Sequence, residues 1–379
     1  MRTSLIRRLC VSAGAAAALV TGALAPAAAA APDVPEDVGS RSGVSVDHED
    51  SSRSETLAFW TPERLREAVP APMPKGSAEV GGSRAEGSAP PAEELKVTAS
   101  APAVQPKSAT TAGAQAAPDV QAAADVQAAA EIAVSQRVPL TTTYPMNVVG
   151  KLFAYDANGD EQVKCSASVI ISDTKDTIWT AAHRVHRGDG SGAAGFYEHL
   201  IFIPAYKAGE SPWGIWTAKA KYAPEGYTDD SDNLESDLAA VVLEPEPDYG
   251  NIQDAVGALG YSFGSGSDYP EVTTVGYPAE GYNRTDLDGE YMYFCYGNAE
   301  DNANFNPLDN RIKMDCDMGK GASGGPLVIA SEASGIQIVG ANSHYLGDTT
   351  TGERADDDLL SSEHGVRAVN VINAVNDSV

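Results

Sequence analysis

Short apolar stretches alternate with turn residues along the chain from about Val138 onward. Many are rich in β-branched or aromatic side chains, which is typical of strands. The clearest are VVGKLFAY, VKCSASVIIS, TIWTAA, HLIFIPAY, WGIWTAKAKY, LAAVVLE, EVTTVGY, EYMYFCYG, NRIKMDC, PLVIA and GIQIVGANS. No long amphipathic helix separates them, so the pattern predicts an all-β domain over residues 138–379. A barrel or a sandwich fits the strands, and the length suits a pair of β-barrels that share a cleft.

Two local patterns refine this prediction. Asn158-Gly159 lies between the first two apolar stretches, and this dipeptide is a strong signal for a hairpin turn. Near the C-terminus, in VRAVNVINAVNDSV, apolar residues recur at helical spacing from Val366 to Val375. We therefore expect a hairpin early in the domain and a short helix at its end.

The region before this domain has a different composition. Residues 31–137 are rich in Ala, Pro, Ser, Gly and charge, and DVQAAADVQAAAE is a repeat within them. Such a sequence cannot bury enough apolar surface to offset chain entropy, so we expect a disordered pro-region or linker. An inert tail is the alternative. In one island, TLAFWTPERLREAVP, Thr61-Pro62 matches a helix N-cap with a first-turn proline, and Leu65 and Val69 lie one helical turn apart.

The N-terminus has the pattern of an export signal. Arg2, Arg7 and Arg8 precede an Ala-rich apolar core, and small residues over 27–31 offer cleavage sites. A membrane anchor is the alternative, but the apolar stretch is short for a membrane span. We predict a signal peptide over residues 1–30 and a secreted, extracellular protein.

The charge balance narrows the class of partner. The 379 residues include 26 Lys and Arg against 53 Asp and Glu, which gives a net charge of −27. Nucleic acids and anionic membranes bind proteins through basic surfaces, so neither is expected as a partner.

The stretch CDMGKGASGGP, from Cys316 to Pro326, places one serine in a glycine-rich turn. It could be a flexible loop, a phosphate cradle or the site of a nucleophile. A phosphate cradle needs a Lys-Ser/Thr pair followed by a helix. Lys320 precedes a glycine instead, and Gly324-Gly325-Pro326 breaks any helix, so the phosphate interpretation fails.

A serine nucleophile needs a base and a carboxylate that orients the base. His183 ends TIWTAAH, where a strand would carry an imidazole to a barrel rim, and Asp237 directly precedes the apolar stretch LAAVVLE. Singly, each has an ordinary explanation, as an incidental histidine or a strand-start acid. Together with Ser323 they follow the order His, Asp, Ser, at separations of 54 and 86 residues.

At these residues the chain resembles the chymotrypsin-like (trypsin-fold) serine peptidases. The resemblance rests on CSASVI, WTAAH, SDLAAVVL, GKGASGGPLV and IVGANS, and covers roughly residues 147–379. Within that family the chain looks closer to the secreted bacterial glutamyl-endopeptidase-like branch. The resemblance implies two antiparallel six-stranded β-barrels with the active site in the cleft between them. It also implies protein or peptide substrates, no cofactor and no metal, and we expect a monomer.

The resemblance assigns roles by motif position. Ser323 would be the nucleophile, His183 the general base and then acid, and Asp237 the group that fixes the His183 tautomer. The backbone N–H groups of Gly321 and Ser323 would form the oxyanion hole. Ala322 stands where digestive relatives have an aspartate that pairs with a newly cut N-terminus. Removal of the pro-region near Arg137-Val138 would expose the cleft or release a chaperone-like segment.

The cysteines depart from the family pattern. Arg184 occupies the position where many relatives have the disulfide partner of Cys165. Cys165 is therefore expected to be a buried, inert thiol, with an intermolecular bridge as the alternative. The resemblance implies a disulfide between Cys295 and Cys316, in adjacent strands of the second barrel.

Specificity is predicted least sharply. The candidate pocket residues are Asp317, Asn342, Ser343 and His344. Asp317 stands where trypsin-like members have their pocket-floor aspartate, which would favour Arg or Lys at the cleavage site, but we expect a solvated Asp317 instead. Asn342 aligns with the histidine of the glutamate-selective branch, so acid selectivity does not carry over.

Three alternatives remain open from the sequence. The acidic loop 228–237 could hold calcium, although a solvated charge run is the favoured explanation. A non-catalytic secreted binding protein on the same fold is the main rival to a peptidase. A surface adhesion protein would suit the Ala/Pro segment but leaves the combination of His183, Asp237 and Ser323 unexplained.

Overall fold

A computed structural model of the chain describes residues 43–71, 73, 75–76, 96–101, 131–302, 310–347 and 353–379. The predicted signal peptide and most of the Ala-rich repeat lie outside these residues. Within the described part, no helix is both long and apolar enough to cross a membrane.

The elements before residue 138 are short. They are strand β1 (Val44–His48), helices α1 (Arg53–Phe59) and α2 (Pro62–Glu67), and strands β2 (Val69–Pro70), β3 (Lys75–Gly76), β4 (Val97–Ala99) and β5 (Ile132–Arg137). Helix α2 begins as the sequence predicts, because the Thr61 side chain accepts a hydrogen bond from Arg64 N and Pro62 is the first helical residue. The helix ends at Glu67, so Val69 lies in a strand and not one helical turn beyond Leu65.

The first barrel is a closed ring of six antiparallel strands. They are β6 (Val149–Asp156), β7 (Glu161–Val169), β8 (Thr177–Thr180), β9 (Glu198–Pro204), β10 (Trp216–Pro224) and β11 (Ala239–Leu243). Around the ring the order is β6-β7-β8-β11-β10-β9, and β9 pairs with β6 to close it. The β6–β7 connection is the hairpin that Asn158-Gly159 predicts. Trp179 and Trp216 fill the interior.

Helix α3 (Glu225–Thr228) lies between β10 and β11 of the first barrel, and helix α4 (Ile252–Val256) and strand β12 (Gly260–Phe263) connect the two barrels. The second barrel then repeats the ring with strands β13 (Tyr269–Gly276), β14 (Tyr293–Asp301), β15 (Ile312–Asp315), β16 (Pro326–Ser331), β17 (Gly335–Leu346) and β18 (Asp358–Ser361). Its order, β13-β14-β15-β18-β17-β16, places each strand as in the first barrel, and β16 pairs with β13. The predicted fold of two six-stranded barrels is confirmed.

Helix α5 (Val366–Asn376) ends the chain and packs against β10 and β11 of the first barrel. Val369, Ile372 and Val375 are buried on its apolar face, as the helical spacing predicts. Val366 begins the helix and is 40% exposed, so it contributes little to that face.

Parts of residues 31–137 are ordered on the barrels, so the prediction of disorder is wrong for these parts. β1 adds to β10, β5 adds to β14 and β4 adds to β12, all antiparallel. These strands find their hydrogen-bond partners far away in the sequence, and composition does not reveal such partners.

Candidate active site

His183 and Asp237 lie at neighbouring ends of two paired strands. Strands β8 and β11 are antiparallel, with Thr180 opposite Ala239. His183 follows the end of β8 in a 3₁₀ turn, and Asp237 lies just before β11. His183 Nδ1 lies 2.6 Å from Asp237 Oδ2, and the His183 backbone N–H donates to Asp237 Oδ1 at 2.8 Å. Strand pairing thus brings together two residues 54 positions apart.

The protonation of this pair suits a general base. Burial, and after it the nearby Arg184 cation, lowers the pKa of His183 to about 4, while Asp237 acts in the opposite direction. Burial opposes ionisation of Asp237, but His183 and further hydrogen-bond donors hold the pKa of this carboxyl below its usual value. At neutral pH the imidazole is therefore neutral and the carboxylate charged. Nδ1–H donates to Asp237, and Nε2 keeps its lone pair.

Ser323, the predicted nucleophile, lies in the turn 316–325 between β15 and β16, which we call the nucleophile turn. The first barrel contacts this turn directly. The Ser323 carbonyl accepts a hydrogen bond from Ser166 N of β7 at 2.9 Å. Gly324 comes so close to β8 that a Cβ there would meet Thr180 Oγ1 at 2.0 Å, so no larger residue fits. The nucleophile turn of the second barrel therefore packs beside the strand that leads to His183.

The side chains of Ser323 and His183 are enclosed but not joined. Ser323 is 0% exposed and His183 is 6% exposed. Within the described part of the chain, Ser323 Oγ and His183 Nε2 have no hydrogen-bond partner. Catalytic hydrogen bonds of this kind often form only when substrate binds.

Two backbone amides of the nucleophile turn are available as oxyanion donors. Ala279 N donates to Lys320 O at 2.7 Å, and Gly325 N donates to Ala322 O at 3.0 Å. In a planar trans peptide the N–H points opposite to the C=O. The N–H groups of Gly321 and Ser323 therefore point away from these contacts, and among the described residues neither has a hydrogen-bond acceptor.

Gly321 is required at its position for two reasons. Its φ is +94°, a conformation that side chains with a Cβ rarely adopt. A Cβ would also meet the Tyr277 carbonyl at 2.5 Å. This supports the sequence-based interpretation of Gly321 as a functional glycine.

Asn342 braces the nucleophile turn. It is fully buried, its Nδ2 donates to Ala322 O at 3.2 Å, and its Oδ1 accepts from Thr274 Oγ1 at 2.7 Å. Its backbone also exchanges hydrogen bonds with Gly324 and Gly325. The turn is thus fixed by an amide even though residue 322 is alanine, and the sequence did not indicate this role.

Ser343 and His344 form a buried chain of hydrogen bonds that ends on Asp237. Arg311 Nη1 can only donate, so His344 Nε2 accepts this bond at 2.8 Å. His344 Nδ1–H then donates to Ser343 Oγ at 2.6 Å, and the Ser343 hydroxyl donates to Asp237 Oδ2 at 2.5 Å. These groups orient the carboxylate that holds His183. The polar groups of Asn342, Ser343 and His344 are engaged in these contacts, so the prediction that they select the substrate gains no support here.

Asp317 is buried and ion-paired, so the expectation of a solvated carboxylate is wrong. It is 3% exposed, its Oδ2 accepts from Arg284 Nη1 at 2.8 Å, and its Oδ1 accepts from Ser135 N of β5 at 2.9 Å. In this conformation Arg284 forms an ion pair with the carboxylate that would otherwise bind a basic substrate side chain. A pocket-floor role for Asp317 stays a prediction.

Arg354 holds the loops next to this aspartate, a role that was not predicted from the sequence. Its guanidinium donates to the carbonyls of Cys316 at 2.7 Å and Met318 at 2.8 Å. A cavity of about 260 Å³ opens beside it, with Lys320 and Tyr345 also in its wall. This cavity lies directly next to the nucleophile turn.

The cysteines match the sequence-based expectations. Cys295 and Cys316 form a disulfide that ties β14 to the residue after β15. Cys165 is a free, buried thiol in β7, and burial raises its pKa to about 12, so it is unreactive. Arg184 is fully buried beside it, and its guanidinium has no hydrogen-bond partner within the described residues.

Comparison with known proteins gives matches among solved structures. No protein-family profile matches the chain, and no curated protein sequence does. The protease Anisep from Arthrobacter nicotinovorans is 27% identical with a TM-score of 0.53, over 64% of this chain and 99% of Anisep. The thermostable serine protease AL20 from an extremophilic microorganism is 25% identical with a TM-score of 0.51, over 62% and 98%. A Glu endopeptidase matches over 64% and 96% at 16% identity and a TM-score of 0.47.

The matches to Anisep and AL20 agree with the two closed six-stranded barrels. The chain has the chymotrypsin-like fold of serine proteases, and the resemblance seen in the sequence is confirmed.

Proposed function

We propose that this protein is a secreted serine endopeptidase, made as a precursor, that hydrolyses peptide bonds of proteins through an acyl-enzyme. One observation carries the proposal: the buried imidazole of His183 is hydrogen-bonded to the buried carboxylate of Asp237, close to a turn that offers two unpaired amides. The serine protease relatives support the same activity.

In the proposed reaction, His183 Nε2 takes the proton of Ser323 Oγ as the oxygen attacks the scissile carbonyl. Asp237 stabilises the imidazolium through the Nδ1–H bond, and Ser343 adds a further donor to the carboxylate. The N–H groups of Gly321 and Ser323 stabilise the oxyanion. His183 then protonates the leaving amine, and water hydrolyses the acyl-enzyme by the same steps in reverse.

Two features support secretion as a precursor. The N-terminal pattern is that of an export signal, and the Cys295–Cys316 disulfide suits an oxidising compartment. We propose removal of the pro-region near Arg137-Val138. This bond follows the β5–β14 pairing, and Val138 N donates to Met292 O at 2.8 Å, so cleavage requires that this segment opens locally.

The test is hydrolysis of an unfolded protein substrate by the purified chain, before and after limited proteolysis of its N-terminal region. We expect turnover that is lost in Ser323→Ala and in His183→Ala and kept in His48→Ala, because His48 lies on the exposed strand β1. Absence of turnover after N-terminal proteolysis, in a protein that remains folded, would favour the non-catalytic binding protein instead.

A further inference from the structure

A segment from the N-terminal region joins the two barrels at the cleft. Its described residues are Val69, Pro70, Ala71, Met73 and the backbone of Lys75 and Gly76, and we call them the cleft segment. At one end β2 pairs in parallel with β7, and Ala71 N donates to Lys164 O at 3.4 Å. At the other end β3 pairs in parallel with β17 at Tyr345 and Leu346.

Both ends lie next to residues that hold the catalytic groups. Lys164 is two positions before Ser166, whose N–H donates to the Ser323 carbonyl. Tyr345 is two positions after Ser343, whose hydroxyl donates to Asp237. β7 belongs to the first barrel and β17 to the second. The cleft segment therefore passes from one barrel to the other beside the nucleophile and the base.

Two side chains of this segment are buried. Ala71 is 2% exposed and Met73 is 3% exposed. Met73 belongs to the apolar cluster of the second barrel, which also contains Met318 and Ala322 of the nucleophile turn, with Tyr345 packed against it. An apolar side chain of the segment is thus inserted on the side of the cleft that contains the nucleophile turn, and Ser323 has no exposed surface.

The sequence of the segment suits a strand that pairs along one edge only. In VPAPMPKG, prolines at positions 70, 72 and 74 alternate with residues that have an N–H. In an extended chain, alternate N–H groups point to the same side, so the donors of Val69, Ala71, Met73 and Lys75 would face one edge. The opposite edge would have no donor before Gly76, so the segment can add to the cleft but offers a poor template for a further strand.

We propose that the cleft segment binds in the substrate groove of its own chain and keeps the precursor inactive. The groove then takes extended peptides by pairing them with the edges of β7 and β17, and the segment is the intramolecular occupant of these two edges. This inference rests on the proposed function, because it describes the regulation of the same site.

The test compares four full-length chains, the wild type and three variants. Met73→Asp places a charge in an apolar cluster and should release the segment, whereas Arg66→Gln changes a residue that is 72% exposed on α2 and should release nothing. We expect a fluorophosphonate to label Met73→Asp about tenfold faster than the wild type or Arg66→Gln. Ala71→Pro removes only the N–H bonded to Lys164 O, so it checks the result without a charge in the barrel.

A peptide of residues 68–77, labelled with a fluorophore, separates this inference from the proposed function. We expect the peptide to bind the Met73→Asp chain, to slow its labelling, and not to bind the wild type, in which the groove is filled. A peptide with Asp in place of the methionine is the control and should not bind. Equal labelling rates for all chains, with no peptide binding, would overturn the inference. Peptide binding to Met73→Asp without labelling of any chain would support the segment as occupant and refute the peptidase.

Discussion

The carbonyl oxygen of Ser323 accepts a hydrogen bond from the backbone N–H of Ser166, so the two barrels meet at the proposed nucleophile. Ser166 also donates its hydroxyl to Gly321 O at 2.8 Å and accepts from Tyr277 N at 2.9 Å. A single residue of the first barrel thus holds two carbonyls of the nucleophile turn in the second barrel, those of Gly321 and Ser323. The geometry of the turn consequently depends on how the barrels are docked.

Ser166→Ala should weaken catalysis more than folding. It leaves the Tyr277 N–H and the Gly321 carbonyl buried without this partner, at a cost of about 1–3 kcal/mol, and it frees the Gly321 peptide to rotate. We expect kcat to fall by about tenfold or more, with a smaller effect on KM. Ser168→Ala is the matched control, because Ser168 is buried on the same strand and its hydroxyl has no partner among the described residues. Equal kcat values for the two variants would contradict this role.

Ser343→Ala should lower kcat through Asp237. The substitution removes a donor to Oδ2 of the carboxylate that stabilises the His183 imidazolium. We expect a decrease in kcat of about tenfold with little change in KM. If the hydrogen bonds from Arg311 to Asp237 act as one chain, His344→Phe and Ser343→Ala will be non-additive in the double variant. Full additivity would show that His344 does not act through Ser343.

Arg184→Met should shift the acid limb of the activity profile to higher pH. Burial and the Arg184 cation together lower the pKa of His183 to about 4, and the base works only when neutral. Without the cation the pKa rises toward 6.5, so kcat/KM should begin to fall at a higher pH. Arg187→Gln is the control, since Arg187 is ion-paired with Asp189. An unchanged acid limb in Arg184→Met would show that this cation does not influence the base.

Stability should decrease as the pH falls from 7 to 4. Burial, foremost, lowers the pKa values of His183 and His364 to about 4, so the unfolded chain binds more protons than the native chain between pH 6.5 and 4. By linkage each histidine should remove about 2 kcal/mol of the unfolding free energy between pH 7 and 5. Chemical denaturation at both values measures this.

The variant His364→Gln isolates one of these two contributions. Trp179 Nε1 donates to His364 Nε2 at 2.8 Å, and a glutamine oxygen can accept the same bond. The difference in unfolding free energy between pH 7 and 5 should shrink in His364→Gln and stay as in the wild type in His48→Ala. The same pH dependence in both variants would refute the assignment to His364.

The sequence predicts those parts of the site that depend on local pattern. His183 and Asp237 stand beside apolar stretches that form β8 and β11. The turn around Ser323 has several glycines close together, which is an uncommon local pattern. The roles of Asn342 and Ser166 as supports of this turn were missed because an amide or hydroxyl in a strand has the same local pattern whether it contacts such a turn or only the core. These roles depend on contacts between residues that are far apart in the sequence.

The N-terminal strands were missed for a related reason. VPAPMPKG has the composition of a linker, but the two strands described within it, β2 and β3, pair with β7 and β17, which lie far away in the sequence. Asp317 illustrates the same limit, because its partners Arg284 and Ser135 lie in other parts of the sequence. Local composition indicates the conformational preference of a segment. Contacts with a distant sheet edge or a buried charge determine the conformation that it adopts.

The most direct test of the central claim is the mass and position of a fluorophosphonate adduct. The purified chain is exposed to the probe until labelling is complete, and the modified peptide is identified by mass spectrometry. We predict one adduct, on Ser323, that is absent in His183→Ala and retained in His48→Ala. An unmodified Ser323 in folded Met73→Asp protein, or an adduct that persists at the same rate in His183→Ala, would contradict it.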